Sequence, residues 1–283
     1  MLPQPDRAAA HLSRRAFLAG GGALFLAGCA SALPNVPRSR LPLASGALDR
    51  LAAIGSTPGA AMLIRLYKET SELEVWKQAT AGSFALFKTY HICKWSGKLG
   101  PKFVEGDYQA PEGFYTVTPG MLNPDSNLYL SFNTGFPNKY DRAYGRTGSN
   151  LMIHGDCRSV GCYAMTDDEI REIYALARES FAGGNANFQL QLFPFRMTKS
   201  NLAAHADSPF APFWQNLREG SDAFEAARVP PAWDVCGGRY VFNRVVVAGA
   251  PLDPLAPCPE GSGAASPAPN VAPQPAARPA KLA

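Results

Sequence analysis

Short apolar runs, each closed by glycine, proline or a polar turn, set the tightest limit on what this chain folds into. Ala61–Tyr67, Leu73–Trp76, Ser83–Ile92, Phe114–Thr118, Leu128–Asn133, Leu151–His154 and Tyr240–Val247 are four to ten residues long. Most carry β-branched or aromatic side chains, a length and composition that suit strands. Gly106-Asp107-Tyr108-Gln109-Ala110-Pro111-Glu112-Gly113 supplies dense turn chemistry just before one of them. Helical spacing marks Ala47–Ile54 and Phe213–Arg228, and a third helix is the best delimited. Thr166 and Glu169 form a capping box, Asp167 and Asp168 suit the positive end of the dipole, and Ile170, Ile173, Tyr174 and Ala177 share one face. The pattern predicts a mainly β domain with helical additions, an α+β fold without internal repeats.

The chain ends fall outside that domain. Ser13-Arg14-Arg15 leads into the apolar run Ala16–Gly28, whose thirteen residues have the form of an export signal and are too few for a spanning helix. The opening resembles a twin-arginine address. Leu26-Ala27-Gly28-Cys29 resembles a lipobox, which makes Cys29 the first mature residue, lipidated and anchored to a membrane by its acyl chains. An ordinary cleaved signal that happens to end in cysteine is the alternative. Ala30 carries no inner-membrane retention signal, so the expected location is the periplasm, at the outer membrane rather than the inner. Residues 29–45, with Pro34, Pro37 and Pro42, read as a tether. From 258 to 283 the composition is Pro, Ala and Gly, with too little apolar surface to offset ordering entropy. The folded part is then 46–257.

Charge excludes one class of partner. The formal charge is +4, and removing a signal that holds Arg7, Arg14, Arg15 and Asp6 leaves 24 basic and 22 acidic residues. Neither that balance nor any basic cluster is a nucleic-acid footprint. Six cysteines fit an oxidising compartment. With Cys29 lipidated and Cys162 kept as a thiol, Cys93, Cys157, Cys236 and Cys258 allow two bridges in three connectivities, and the sequence does not choose.

The chemistry concentrates in Ile153-His154-Gly155-Asp156-Cys157-Arg158-Ser159-Val160-Gly161-Cys162. A thiol becomes a strong nucleophile on losing its proton, and an imidazole is suited to take that proton and return it to a leaving amine. Eight residues that turn through Gly155 and Gly161 are enough to bring His154 and Cys162 together. Glycine at 161 lets a substrate approach the backbone, and amides near Cys162 are candidate oxyanion donors. Taken alone, a neighbouring Cys and His are more often core or loop residues.

His154-Gly155 followed by Ser159-Val160-Gly161-Cys162 resembles the active-site signature of the YkuD-type L,D-transpeptidases. The short loop and the sequel Ala164-Met165-Thr166-Asp167 resemble the YafK-like branch of that family. So do Lys94-Trp95-Ser96-Gly97-Lys98-Leu99-Gly100-Pro101-Lys102, Glu105-Gly106-Asp107 and Ala110-Pro111-Glu112-Gly113-Phe114-Tyr115, so the likeness extends over about 61–247. The resemblance implies a YkuD catalytic fold, Cys162 as nucleophile, His154 as general acid and base, and Gly155, Ser159 and Gly161 in the loop beside the thiol. It implies peptidoglycan stem peptides as substrates, attacked at diaminopimelate through a thioester, with no metal or organic cofactor. An amine acceptor makes the enzyme a transpeptidase. Water makes it a hydrolase that releases murein-bound lipoprotein, an activity associated with this branch. The broad family often has Ser-His-Gly-Cys and an Arg soon after the Cys. Here Val160 stands in place of that His and Tyr163-Ala164 follows.

Other residues draw weaker expectations. Arg158 and Lys102 are candidates to meet a substrate carboxylate, although surface or ion-pair roles are commoner. Tyr163 reads as packing, Asp156 as a turn residue, and His91 and His205 as bystanders. A zinc site at His154, Cys157 and Cys162 lacks the four ligands at short spacing that zinc usually takes. A catalytically silent, wall-binding lipoprotein is the remaining rival, and the oligomeric state stays open.

Overall fold

The computed structural model describes residues 36–243 and 252–259. The signal, Cys29, the far end of the expected Tyr240–Val247 strand and the tail from 260 lie outside them. In chain order the elements are α1 (Ser45–Ala53), β1 (Met62–Tyr67), β2 (Glu72–Gln78), β3 (Phe84–His91), β4 (Lys94–Trp95), β5 (Gly113–Val117), β6 (Leu122–Asn123), β7 (Ser131–Asn133), α2 (Lys139–Ala143), β8 (Met152–His154), β9 (Tyr163–Ala164), α3 (Asp167–Ala182), β10 (Phe188–Phe193), α4 (Lys199–Ala204), α5 (Ala211–Ala227), β11 (Trp233–Cys236) and β12 (Arg239–Phe242).

Two five-stranded sheets organise the fold, one ordered β3-β2-β1-β10-β5 and the other β4-β9-β8-β7-β6, with β11-β12 as a separate hairpin. Residues 188–193, to which the pattern reading assigns no element, form β10. Its alternation of Phe and Leu with Gln is a strand signal, and it runs parallel to β1 at the centre of the first sheet. Alternation along β1 explains why every one of its residues is buried. Met62, Ile64 and Leu66 enter the main core with Leu190 and Leu192 of β10 and the Ile170, Ile173 and Ala177 face of α3. Leu63 and Tyr67 point the other way, toward side chains of α5: Phe224 beside Leu63, and Trp214 and Leu217 beside Tyr67. Arg65, also on that side, is held by Gln191, Ser221 and Glu225 and lies 4.7 Å from the centre of the Phe224 ring.

Part of the expected tether is docked. Arg38 donates to the Ser126 carbonyl at 2.7 Å, Arg178 of α3 donates to the carbonyls of Ser39 and Leu41, and Leu43 belongs to the core. The α3 capping box is formed on both sides, Thr166 accepting from the Glu169 amide and Glu169 from the Thr166 amide.

The long connection from β4 to β5 carries no strand or helix of its own and is fixed by a buried ion pair instead. Lys68 and Glu112 have fully buried side chains 2.9 Å apart. Lys68 also donates to the carbonyls of Gly100 and Ala110, and Glu112 accepts from the Gly100 amide and the Trp214 indole. Burial pulls the Lys68 ammonium below its ordinary value, against the opposing pull of Glu112. Breaking such a pair leaves an uncompensated buried charge. Lys68→Met is expected to lower the unfolding free energy by about 3–5 kcal/mol in urea titrations; a loss under about 1 kcal/mol would show that the pair does not organise this region.

Candidate functional site

Strands β8 and β9 are neighbours and parallel, with Ile153 opposite Tyr163 and His154 opposite Ala164. Parallel strands normally need a connection of about a dozen residues or more. Here residues 155–162 are all there is. On one side of the sheet Ile153, Tyr163 and Phe132 of β7 are buried in the main core. Met152, His154 and Asn133 take the opposite side by alternation, and Cys162, one residue before β9, sets its Sγ against the backbone of β8 at the Met152 amide. The sequence-predicted His and Cys thus flank a short crossover, His154 at the end of β8 and Cys162 just before β9.

That crossover is tightly held. Asp156, Cys157 and Gly161 have φ of 69°, 47° and 111°, left-handed values that only glycine adopts without strain. Cys157 is bonded to Cys93, which resolves the pairing that sequence left open, and Cys236 is bonded to Cys258. Gly155 sits where a Cβ would meet Asp167 Oδ1 at 2.6 Å and Tyr129 Cβ at 3.0 Å, so close packing against α3 demands glycine. Its amide donates to the carbonyls of Leu128 and Leu130, and the Gly161 amide donates to Ser96 Oγ. In this structure neither N–H is free for an oxyanion. Ser159 Oγ donates to the Cys162 carbonyl at 2.6 Å and approaches Ser96 Oγ at 3.3 Å.

His154 is buried, and its Nδ1 lies 2.6 Å from the Gly155 carbonyl oxygen. A carbonyl only accepts, so the proton is on Nδ1 and Nε2 keeps its lone pair. Burial pushes the ring below the ordinary histidine value, partly opposed by the Gly155 carbonyl and Asp156. Cys162 is the free cysteine among the described residues and is half-buried. Its Sγ accepts from the Met152 amide at 3.4 Å and donates to the Asn150 carbonyl at 3.6 Å. Burial pushes the thiol up, more than the Met152 amide and the Lys102 ammonium pull it down. No hydrogen bond joins ring and thiol among the described residues. Burial shifts both groups toward their uncharged forms, a direction suited to general-base deprotonation during attack.

The secondary expectations sort themselves by contact. Lys102 is buried and paired with Asp107; burial alone would raise the Asp107 carboxyl, but Lys102 and the amides of Phe103, Gln109 and Val104 hold it low. Arg158 is exposed and paired with Asp156, and the His154 ring nitrogen is bonded to the Gly155 carbonyl instead of the Asp156 carboxylate. Tyr163 donates to the Pro111 carbonyl at 2.6 Å from a fully buried position. His91 is exposed, and His205 stacks on Phe195. Among the described residues no cluster of metal-ligating side chains is present. Sequence reasoning missed Ser96, which lies inside the quoted Lys94–Lys102 motif, and it missed a groove of about 630 Å³ lined by Asn123, Asn133, Phe136, Arg142 and Met152. No local pattern marks that groove, because its walls come from four separate segments.

Comparison with known proteins follows the same lines. The model of the YkuD L,D-transpeptidase catalytic domain matches residues 63–183. YafK of Escherichia coli (strain K12) is 45% identical over 186 residues, covering 66% of this chain and 75% of that protein, and its counterpart in strain O157:H7 matches equally. Among solved structures, the helical cell shape determining protein Pgp2 of Campylobacter jejuni (K307A mutant) is 20% identical with a TM-score of 0.40, over 65% of this chain and 68% of that one. Bd1075 of Bdellovibrio bacteriovorus is 19% identical with a TM-score of 0.35, over 61% and 59%.

The electrostatics of the pair give a direct test. Only the thiolate alkylates quickly, so a thiol raised by burial is mostly protonated at pH 7 and reacts more slowly there than free cysteine. Iodoacetamide labelling of Cys162 is expected to climb with pH through a midpoint above that of free cysteine. A rate already at its plateau near pH 6 would contradict this and indicate a preformed thiolate–imidazolium pair.

Proposed function

The chain belongs to the YkuD-type L,D-transpeptidase family, in its YafK-like branch, and we propose that it acts on peptidoglycan stem peptides with Cys162 as nucleophile and His154 as general acid and base. The observation that carries the reading is the eight-residue crossover between parallel β8 and β9, which has His154 at one end and Cys162 at the other, with the basic nitrogen of the ring uncommitted. Sγ attacks the carbonyl of the diaminopimelate at position three while Nε2 takes the thiol proton. The tetrahedral adduct collapses to a thioester as the same proton passes to the leaving amine. An acceptor amine then yields an exchanged or cross-linked peptide, and water yields a hydrolysed one. No step calls for a metal or an organic cofactor.

The cellular part of the proposal is export to the periplasm and anchoring through a lipid on Cys29. Two disulfides among the described residues support an oxidising compartment. No helix among those residues is long and apolar enough to cross a membrane.

Purified sacculi bearing covalently attached lipoprotein, incubated with residues 36–259 and analysed by mass spectrometry, test the chemistry. Cross-links or exchanged termini are expected for a transpeptidase, and released lipoprotein for a hydrolase. Either product should vanish in Cys162→Ala and fall by orders of magnitude in His154→Ala. Near-normal turnover in either variant refutes the mechanism, and sacculus binding without any Cys162-dependent product points to a silent wall-binding protein. In cells, palmitate labelling should be lost in Cys29→Ser; labelling that persists refutes the anchor.

A further inference from the structure

The groove beside the thiol has neutral walls with one exception. Asn123, Asn133, Phe136 and Met152 contribute polar or apolar surface, and Arg142 is the one charged residue lining it. It adjoins the reacting sulfur, because Met152 lines it and the Met152 amide donates to Cys162 Sγ. It also opens on the His154 side of the sheet, since Asn133 pairs with Met152 across β7 and β8 and Met152 is two residues from His154 along the strand.

Arg142 is exposed and ion-pairs with no carboxylate among the described residues, where its guanidinium donates to the Pro137 carbonyl alone. That leaves most of a five-donor fork unspent. The backbone beneath it is fixed. Asn138 and Asp141 close a capping box on α2, and the buried Asp141 carboxylate is held by Arg146 at 2.8 Å and the Tyr115 hydroxyl at 3.0 Å. A guanidinium on an anchored turn, at the edge of an otherwise uncharged groove, is arranged to receive a planar anion. The position just after the nucleophile offers no alternative, because Tyr163 and Ala164 are both buried and uncharged.

We infer that Arg142 is the specificity residue of the groove and binds a carboxylate of the stem peptide while the scissile carbonyl lies at Cys162. This rests on the stem-peptide reading above and adds to it which protein group recognises the acid. Of the stem peptide's carboxylates, the two on the residues joined by the scissile bond qualify, that on the diaminopimelate side chain and that at the peptide C-terminus, and the test separates them.

The measurement is calorimetric binding to the Cys162→Ala protein of a synthetic stem tetrapeptide, of the same peptide amidated on the diaminopimelate side chain, and of the same peptide amidated at its C-terminus. Losing a charge-assisted pair is expected to weaken one amidated form by roughly 10- to 100-fold. Adding Arg142→Ala should erase that preference, and Arg142→Lys should restore part of it. In the active protein Arg142→Ala should raise KM far more than it lowers kcat, with thermal unfolding and the rate of Cys162 alkylation unchanged. A preference that survives Arg142→Ala, or equal binding of all three peptides by the Arg142 protein, overturns the inference and leaves the stem-peptide reading intact. Failure of every peptide to bind, together with no Cys162-dependent turnover, overturns both.

Discussion

The parallel pairing of β8 with β9 across only eight residues is the constraint on which the site depends. Two ladder positions, Ile153 with Tyr163 and His154 with Ala164, bring the ends of one short segment side by side. The Met165 amide extends the contact by donating to the His154 carbonyl at 2.7 Å. A connection this short cannot contain a helix, so the chain closes through left-handed residues. Asp156 and Cys157 cost about 1–2 kcal/mol each in that conformation. A disulfide closing a separation of 64 residues contributes roughly 4 kcal/mol by loop entropy, enough to offset both. Ser96, accepting from the Gly161 amide, ties the other end of the crossover to the segment after β4.

The remainder of the fold keeps that crossover in register. Ile153, Tyr163 and Phe132 are buried in the same core as the inner faces of β1, β10 and α3, so a slip of one residue would move His154 into apolar surroundings and Ile153 to the groove. Gly155 wedges against α3, whose capped N-terminus supplies Asp167 to the Asp156 amide at 2.9 Å. Lys68 and Glu112 hold the β4–β5 connection that carries Ser96 and Lys102. The strained turn and the free thiol thus share one loop, and strain of this kind clusters at functional sites.

Much of this was legible in the chain, for reasons that differ by element. Helix α3 declares itself because capping is local: Thr166 and Glu169 are three residues apart and the box needs nothing else. The strand runs are legible as apolar lengths, but β10 shows that a clear alternation is easily passed over when alternate positions are Gln. Burial of Gln191 against Arg65 is a tertiary fact that no window of sequence contains. The spacing of His154 and Cys162 and the motif around them are local, whereas the direction in which each titration is shifted follows from burial and from the Gly155 carbonyl. The Cys93–Cys157 pairing, the contact of Ser96 with Gly161 and the walls of the groove that Arg142 lines join segments far apart in sequence, and periodicity carries no information about such meetings.

The central claim is a thioester on Cys162. Intact-mass spectrometry of residues 36–259, acid-quenched within seconds of mixing with a synthetic stem tetrapeptide, reads it directly. The account predicts an acyl adduct that maps to Cys162, is removed by hydroxylamine and is absent from Cys162→Ala. Turnover of the peptide that proceeds equally well in Cys162→Ala, with no adduct at any time, would contradict it.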